Sequence, residues 1–393
     1  MPGSKPQSRL GTYVSSSIGG EIVRAFIPPP LPPVPELDLS GLHRALEGAN
    51  RGLGRLNGMT KLLPDIRFLL YLYVRKEALV SSQIEGTQSS FADLLLFEND
   101  ETPHVPVEDV EEVSNYVAAM QHGLRRLRGG FPLSLRLIRE IHAILLRGGR
   151  GSGRMPGEFR RTQNWIGGTR PGNATFVPPP PERLMECLDS FERFLHDESH
   201  RLPVLVEAGL VHVQFESIHP FLDGNGRLGR LLITLLLCSK GVITELLLYP
   251  SLYLKSHRSL YYELLQRIRT EGAWEDWLAF FLEGVAVAAG EAADTAERVL
   301  QLFARDKEKI QTLGRATHSA LRLHGFMQTS PYFRIHAAAK SLKLTVPTVT
   351  NAVSHLVQMG IVKEISGKRR NRLFAYSRYV NIAIEGTEPL SNQ

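Results

Sequence analysis

Apolar residues fall at helical spacing along most of the chain, and short stretches rich in Gly, Pro and Ser separate the runs. Leu39, Leu42, Leu46, Leu53 and Leu56 predict a helix over 37–56. Pro64 permits a new start, and Phe68, Leu69, Leu72, Tyr73, Ala78 and Leu79 give a helix over 66–84 a broad apolar face. A short helix is expected at 91–97. The segment 108–127 carries acids in its first turn and arginines in its last, which suits the helix dipole at both ends. Over 134–146, Leu135, Ile138, Ile141, His142 and Leu145 share one face, with His142 read as a buried structural residue. More helices are predicted at 182–194, 204–215 and 225–240, within 250–269, and at 274–289 and 292–305, the last as a linker leading outward.

Two stretches before residue 182 break this rhythm. Residues 1–20 are polar and read as a loose tail, 22–27 as a short extended piece, and Pro28 to Pro35 as a polyproline segment along the surface or a ligand for a proline-binding module. The run 147–154 is a Gly-rich basic loop without a Walker pattern. Residues 156–168, followed by Thr175-Phe176-Val177 and Pro178 to Pro181, predict a hairpin with a Gly-Pro-rich tip.

Beyond the linker the pattern changes to helix at 333–341, helix at 346–359, and strands at 361–365 and 373–376. Thr345 before Val346-Pro347 has the chemistry of an N-cap followed by an early helical proline, and Gly360 closes the helix. Residues 367–372 form a basic hairpin tip. This order resembles a winged-helix domain, with the helix from Val346 as recognition helix and the basic tip as wing. Between Arg334 and Arg378 stand Arg334, Lys340, Lys343, Lys363, Lys368, Arg369, Arg370, Arg372 and Arg378 against one acid, Glu364. Such a balance suits DNA, while a winged helix used for protein contacts is the other reading.

Composition narrows the class. The 393 residues allow two or three domains with a real core, and 43% hydrophobic with 22% charged residues is the balance of a globular protein. Cys187 and Cys238 cannot form a disulfide framework and read as core residues in a reducing compartment. No signal-like segment opens the chain, and the apolar run 231–238 is too short to span a bilayer, so a cytoplasmic chain without membrane contact is expected. The net charge of +6 matters less than its distribution.

The chemistry concentrates in Ile218-His219-Pro220-Phe221-Leu222-Asp223-Gly224-Asn225-Gly226-Arg227-Leu228-Gly229-Arg230. Gly224-Asn225-Gly226 before an apolar helical run is a loop that opens a helix, whose unpaired N–H groups and positive dipole end suit a phosphate. Arg227 and Arg230 stand three apart and would share a face near that anion. Asp223 could hold Mg²⁺ against the phosphates. His219 has the near-neutral pKa of a general base, and Phe221 reads as a core anchor for the loop. Upstream, Glu85 and Gly86 read as a last helical acid and a C-terminal glycine cap. An acid in the last turn opposes the dipole, so Glu85 is expected to have a partner elsewhere.

The central string resembles the signature of the Fic (Fic/Doc) family, His-x-Phe-x-Asp/Glu-Gly-Asn-Gly-Arg-x-x-Arg, met here by His219, Phe221, Asp223, Gly224, Asn225, Gly226, Arg227 and Arg230. Ser81, Glu85 and Gly86 resemble the family's inhibitory motif, in which the glutamate pairs with the second arginine, here Arg230. The resemblance implies a mainly α fold: a Fic-type helical catalytic domain with a small β-hairpin flap, followed here by the winged-helix (α+β) domain. It implies a tail and Pro-rich segment at 1–36, a helical region with the inhibitory helix at 37–130, a catalytic core at 131–300, and the linker and winged helix at 301–393. The implied activity is a protein adenylyltransferase that moves AMP from ATP to a Ser, Thr or Tyr hydroxyl of a target and of itself, with Mg²⁺ or Mn²⁺. His219 would be the base and Asp223 the metal ligand; Gly224, Asn225, Gly226, Arg227 and Arg230 would bind phosphate, and Ser256 and Tyr262 would bound the adenine. Ile166, Gly167, Gly168, Phe176 and Val177 would form the target-docking flap by strand addition. Many relatives form dimers, so a homodimer is admitted. The competing readings are AMP removal or transfer of another phosphate-containing group, and a DNA-binding regulator that uses the Fic domain as a nucleotide sensor.

Overall fold

The computed structural model describes residues 9–63, 66–91, 93–94, 105–148, 151–243, 246–367 and 371–388. Its centre is a pair of helices, α6 (Val204–Ile218) and α7 (Asn225–Ser239), joined by the loop that holds His219 to Gly224. Both are buried nearly all round, as expected of helices that are apolar on every face. Around them pack α2 (Arg67–Ile84), α3 (Val107–Arg128), α4 (Leu135–Leu145) and α5 (Pro181–His196). Ser134 caps α4, its hydroxyl accepting from the Leu137 N–H. Gly86, at φ +102°, follows the end of α2 as the sequence expects. The helix expected at 91–97 lies largely outside the described residues.

Two expectations at the ends of this bundle are corrected. Residues 12–18 are not a loose tail: β1 (Thr12–Ile18) pairs antiparallel with β2 (Glu21–Ile27), and Arg9 bonds Glu275. The proline segment then docks on the bundle, the Gln214 side chain donating to the Pro29 carbonyl at 2.8 Å. The two helices predicted at 274–289 and 292–305 are one, α10 (Trp274–Gln311), 38 residues long. Gly290 interrupts the pattern but carries no stop signal, and α1 (His43–Leu62) packs along the helix, Gly52 allowing its backbone close to Ala286 and Ala289. Glycine alone costs a helix roughly 1 kcal/mol, which that packing outweighs.

The remaining bundle helices are α8 (Ser251–Ser256) and α9 (Arg258–Glu271). After α10 come α11 (Thr317–Thr329), β3 (Tyr332–Arg334), α12 (Ile335–Leu342), α13 (Val346–Gln358), β4 (Lys363–Glu364), β5 (Leu373–Ala375) and α14 (Ser377–Ile384). The strands form an antiparallel sheet in the order β3-β5-β4. Thr345 caps α13, its hydroxyl accepting from the Thr348 N–H at 3.3 Å. The basic tip residues Lys368 to Arg370 lie outside the described residues. No described helix is long and apolar enough to cross a membrane.

Candidate active site

Helix α6 ends at His219, which takes the left-handed conformation at φ 49° and ψ 60°. A residue with a Cβ adopts it at a cost of the order of 1–3 kcal/mol, so something must hold it there. The holder is Arg160. Its side chain donates to the carbonyls of His219 (2.9 Å), Pro179 (2.5 Å) and Ile218 (3.4 Å), and its backbone N–H donates to Pro220 (2.9 Å). Asn225 closes the loop from the other side. Its Oδ1 accepts from the Phe221 N–H (2.9 Å) and its Nδ2 donates to the Phe221 carbonyl (2.8 Å).

Phe221 is fully buried and stacks on His142, with ring centroids 3.7 Å apart. The His142 Nδ1 accepts from the Gly157 N–H at 2.8 Å, so its proton sits on Nε2 and is donated to the Asp223 carbonyl at 3.0 Å. Burial pushes this histidine's pKa down to about 4, which keeps that tautomer neutral. His142 is thus more than core packing: it ties the approach to the flap to the anion loop. Gly224 at φ +75° then turns the chain into α7, where a Cβ would come within 3.2 Å of Leu146.

The N-terminus of α7 is the place the sequence assigns to phosphate, and a carboxylate stands over it. A Cβ built on Gly226 would lie 2.3 Å from the Glu85 Oε1, so the glutamate packs directly on this glycine. Arg230, 1% exposed at its side chain, donates from Nη2 to that same Oε1 at 2.6 Å. It also donates from Nε to the Ser81 hydroxyl and from Nη2 to the Ser81 carbonyl, each at 2.9 Å. Burial alone would lower the guanidinium's pKa; the Glu85 charge, with Tyr261 and Tyr262, reverses this and raises it. Arg227 turns elsewhere: its Nη1 donates to Glu112 of α3 at 3.0 Å, with Asp223 at 3.8 Å. The two arginines expected on one anion are held by different acids. Asp223 accepts from the Gly224 N–H and leaves its side chain 43% exposed.

Burial, with the charges of Arg160 and Arg269 nearby, pushes the His219 pKa down to about 3, so the imidazole is neutral at pH 7. The flap is slighter than a hairpin of two strands. Ile166 and Phe176 make one antiparallel bridge, with backbone bonds of 2.8 and 3.1 Å. Gly167 (φ +68°) and Gly168 (φ +70°) leave no room for side chains against Thr175 and Asn173. Val177 accepts from the Phe26 N–H at 2.9 Å, so β2 lies along the flap, and Arg269 stacks on Phe176 at 3.7 Å.

Of the two adenine candidates, the fields of Glu85 and Arg230 reach the Tyr262 hydroxyl, whose pKa is raised by burial first. Ser256 is exposed and donates to the Leu252 carbonyl of its own helix; among the described residues no contact links it to Glu85 or Arg230. Sequence reasoning missed Arg160, Glu112 and Glu77. Glu77 is buried behind Arg230, accepts from the Ser251 and Tyr116 hydroxyls, and has its pKa pushed up to about 7 by burial. The available signal was a charge on the apolar face of a predicted helix.

Residues 43–125 match the model described as Fic/DOC family N-terminal, and residues 132–237 the model described as Fic/DOC family. Over 199 residues the chain is 32% identical to the protein adenylyltransferase Fic of Drosophila grimshawi and 31% to that of Drosophila melanogaster, in each case over 50% of this chain and 35% of the relative. Over 149 residues it is 36% identical to the protein of that name from Culex quinquefasciatus, 37% of this chain and 25% of the relative. The chain thus spans about a third of the length of these relatives. A crystal structure of a Fic family protein from Desulfovibrio desulfuricans G20 superposes with a TM-score of 0.59 at 18% identity, covering 87% of this chain and 97% of that one. A Fic domain containing signaling protein from Bacteroides thetaiotaomicron gives 0.51 at 20% identity, covering 63% and 97%. These two likenesses establish the mainly helical fold.

Proposed function

From the two Fic/DOC matches we propose that this chain is a member of that family and a protein adenylyltransferase held in an inhibited state by Glu85. The observation that carries the reading is the Glu85 carboxylate lodged over Gly226, at the N-terminus of α7, in the grip of Arg230 and beside the His219 loop. An anion site filled by the chain's own anion is what inhibition by exclusion of a terminal phosphate requires.

In the active arrangement Glu85 leaves, and the outer phosphates of ATP take its place against Arg230 and the N–H groups of Asn225 and Gly226. His219, neutral at pH 7, accepts the proton of a Ser, Thr or Tyr hydroxyl. The hydroxyl oxygen bonds to the α-phosphorus, the bond from that phosphorus to the bridging oxygen breaks, and pyrophosphate departs with the electron pair. Positioning and charge stabilisation supply most of the rate. Among the described residues no group of three or more His, Cys, Asp or Glu could cage a metal. One exposed carboxylate, Asp223, fits the habit of Mg²⁺, which takes few protein ligands and completes its shell with phosphate and water. Bound there, Mg²⁺ would neutralise phosphate charge. The backbone of Gly167 and Gly168, positioned by the Ile166–Phe176 bridge, would dock an extended target segment, and Tyr262 would bound the adenine.

The test is incorporation of label from α-³²P-ATP into protein by wild type, Glu85→Gly and His219→Ala. Labelling should rise in Glu85→Gly. Adding His219→Ala should lower it roughly 10²–10⁴-fold, the usual worth of a general base. Label retained without His219 sinks the proposed base.

A second reading, DNA binding by the C-terminal unit, is favoured by one observation. The exposed positions of α13 include Thr350, Asn351, Ser354 and Gln358, uncharged groups able to read base edges, beside the apolar Val346, Pro347 and Val357 and amid the basic excess of residues 334–378. A duplex shift that weakens steeply with salt would support it, and indifference to duplex would end it.

A further inference from the structure

The C-terminal segment of the described chain leaves its own unit and runs along the helix that carries the inhibitory glutamate. Tyr379 of α14 meets Phe68, at the start of α2, edge to face with ring centroids 5.5 Å apart. Lys76 donates to the Glu385 carbonyl. Gln83 donates from Nε2 to the Thr387 carbonyl at 3.2 Å. Lys255 of α8 joins α2 to the segment, donating to the Gln83 Oε1 at 2.8 Å and to the Glu388 carbonyl at 2.6 Å. Phe68, Lys76 and Gln83 are each about two helical turns apart, so the contacts follow one face of α2 for most of its length. At the start of residues 385–388 the Glu385 carboxylate also pairs with Arg298 of α10 at 2.5 Å.

The acceptors on the segment are mostly main-chain carbonyls, so α2 reads the path of the chain more than its side chains. Gln83 is buried and its amide is fully used, Nε2 also donating to the Ser89 carbonyl at 3.0 Å. Moving the segment would strand that amide in the interior, which protein interiors resist strongly. Gln83 lies two residues before Glu85.

We propose that residues 385–388 clamp α2, so that the seating of the C-terminal unit sets how firmly Glu85 is held over Gly226. This rests on the reading of Glu85 as inhibitor. The clamp acts on the position of Glu85 and touches neither ATP nor the reacting hydroxyl, so these are positioning contacts. Release of the segment would loosen the end of α2, let Glu85 leave Arg230, and admit the terminal phosphate.

The test is the full chain carrying Lys76→Met with Gly386→Val. The first removes a donor on α2. The second places a branched side chain at φ +82°, where even a Cβ would lie 3.2 Å from Leu252, and so displaces the segment from its own side. Label from α-³²P-ATP should rise at least about fivefold over wild type, the lower end of typical coupling between sites. In a Glu85→Gly background the same pair should change nothing, because the group it acts through is gone. Labelling equal to wild type while Glu85→Gly alone is fast overturns the clamp. So does an equal loss of labelling in both backgrounds, which marks a merely structural contact. Silence from every variant, Glu85→Gly included, overturns the adenylyltransferase reading instead. The clamp is then judged by amide hydrogen exchange over residues 78–86: faster exchange in the pair than in wild type supports it, and equal exchange overturns it.

Discussion

The loop from His219 to Gly226 and the flap around Ile166 and Phe176 are neighbours, yet they are held by opposite means. Buried side chains fix the loop: Arg160 gathers its carbonyls, Asn225 closes Phe221 from both sides, and His142 supports Phe221 and Asp223. The flap has one internal backbone bridge, a glycine tip and, beyond these, a backbone bond from Phe26 of β2 to Val177 and the stacking of Arg269 on Phe176. A single bridge fixes the place of a strand and leaves much of its backbone able to pair again. On the proposed function, the difference would separate the reaction, which needs fixed geometry, from docking, which needs an open edge.

Breaking the loop should have the largest effect. Arg160→Met would strand the carbonyls of His219 and Pro179 and free His219 from its left-handed turn. The expected cost is about 3 kcal/mol in stability, measured by urea unfolding, with at least a hundredfold loss of labelling in the Glu85→Gly background. Breaking the flap should be selective. Ile166→Pro deletes the N–H that bonds Phe176. Labelling of lysate proteins should fall about tenfold or more, with ATP affinity by calorimetry unchanged; an equal fall in ATP affinity would show that flap and loop are not separate.

His142 sharpens the contrast through pH. Its pKa is lowered on folding from the ordinary 6.5 to about 4, so the unfolded chain takes up a proton first. The contribution of His142 to stability is therefore full above pH 6.5 and declines as pH falls towards 4. His142→Phe keeps a ring against Phe221 but leaves the Gly157 N–H and the Asp223 carbonyl unpaired, at a cost of about 2 kcal/mol. That variant should lose less stability on acidification than the wild type, leaving the contributions of His212, whose pKa is likewise near 4, and of His219, near 3. The smallest effect is expected at Ser256→Ala, because that hydroxyl faces its own helix; a clear rise in KM for ATP would restore it to the adenine pocket.

The parts of this architecture that the sequence makes legible are those where local rules and burial agree. The apolar run after Gly226 becomes the buried α7, and Thr345 caps its helix as its chemistry suggests. The strand at 12–18 was hidden because its serines leave little alternation to read, and its pairing with β2 is settled only in space. In the site, the spacing of Arg227 and Arg230 places them near each other, but spacing cannot say which acid each will meet. Glu112 and Glu85 come from helices distant in the chain and divide them. Arg160 and Glu77 escaped for the same reason. Each is a charge whose partners are brought by folding and not by neighbourhood.

At Gly226 a missing side chain has a consequence for how this protein can change. On the proposed function, the gap that would admit a phosphate is the gap that Glu85 fills, so activity and restraint would occupy one vacancy in turn. A methyl group there would evict the inhibitor and the substrate alike. On that reading, mutation at Gly226 could not tune the one without losing the other, and adjustable control would lie in the helix that brings Glu85 and in whatever rests upon it.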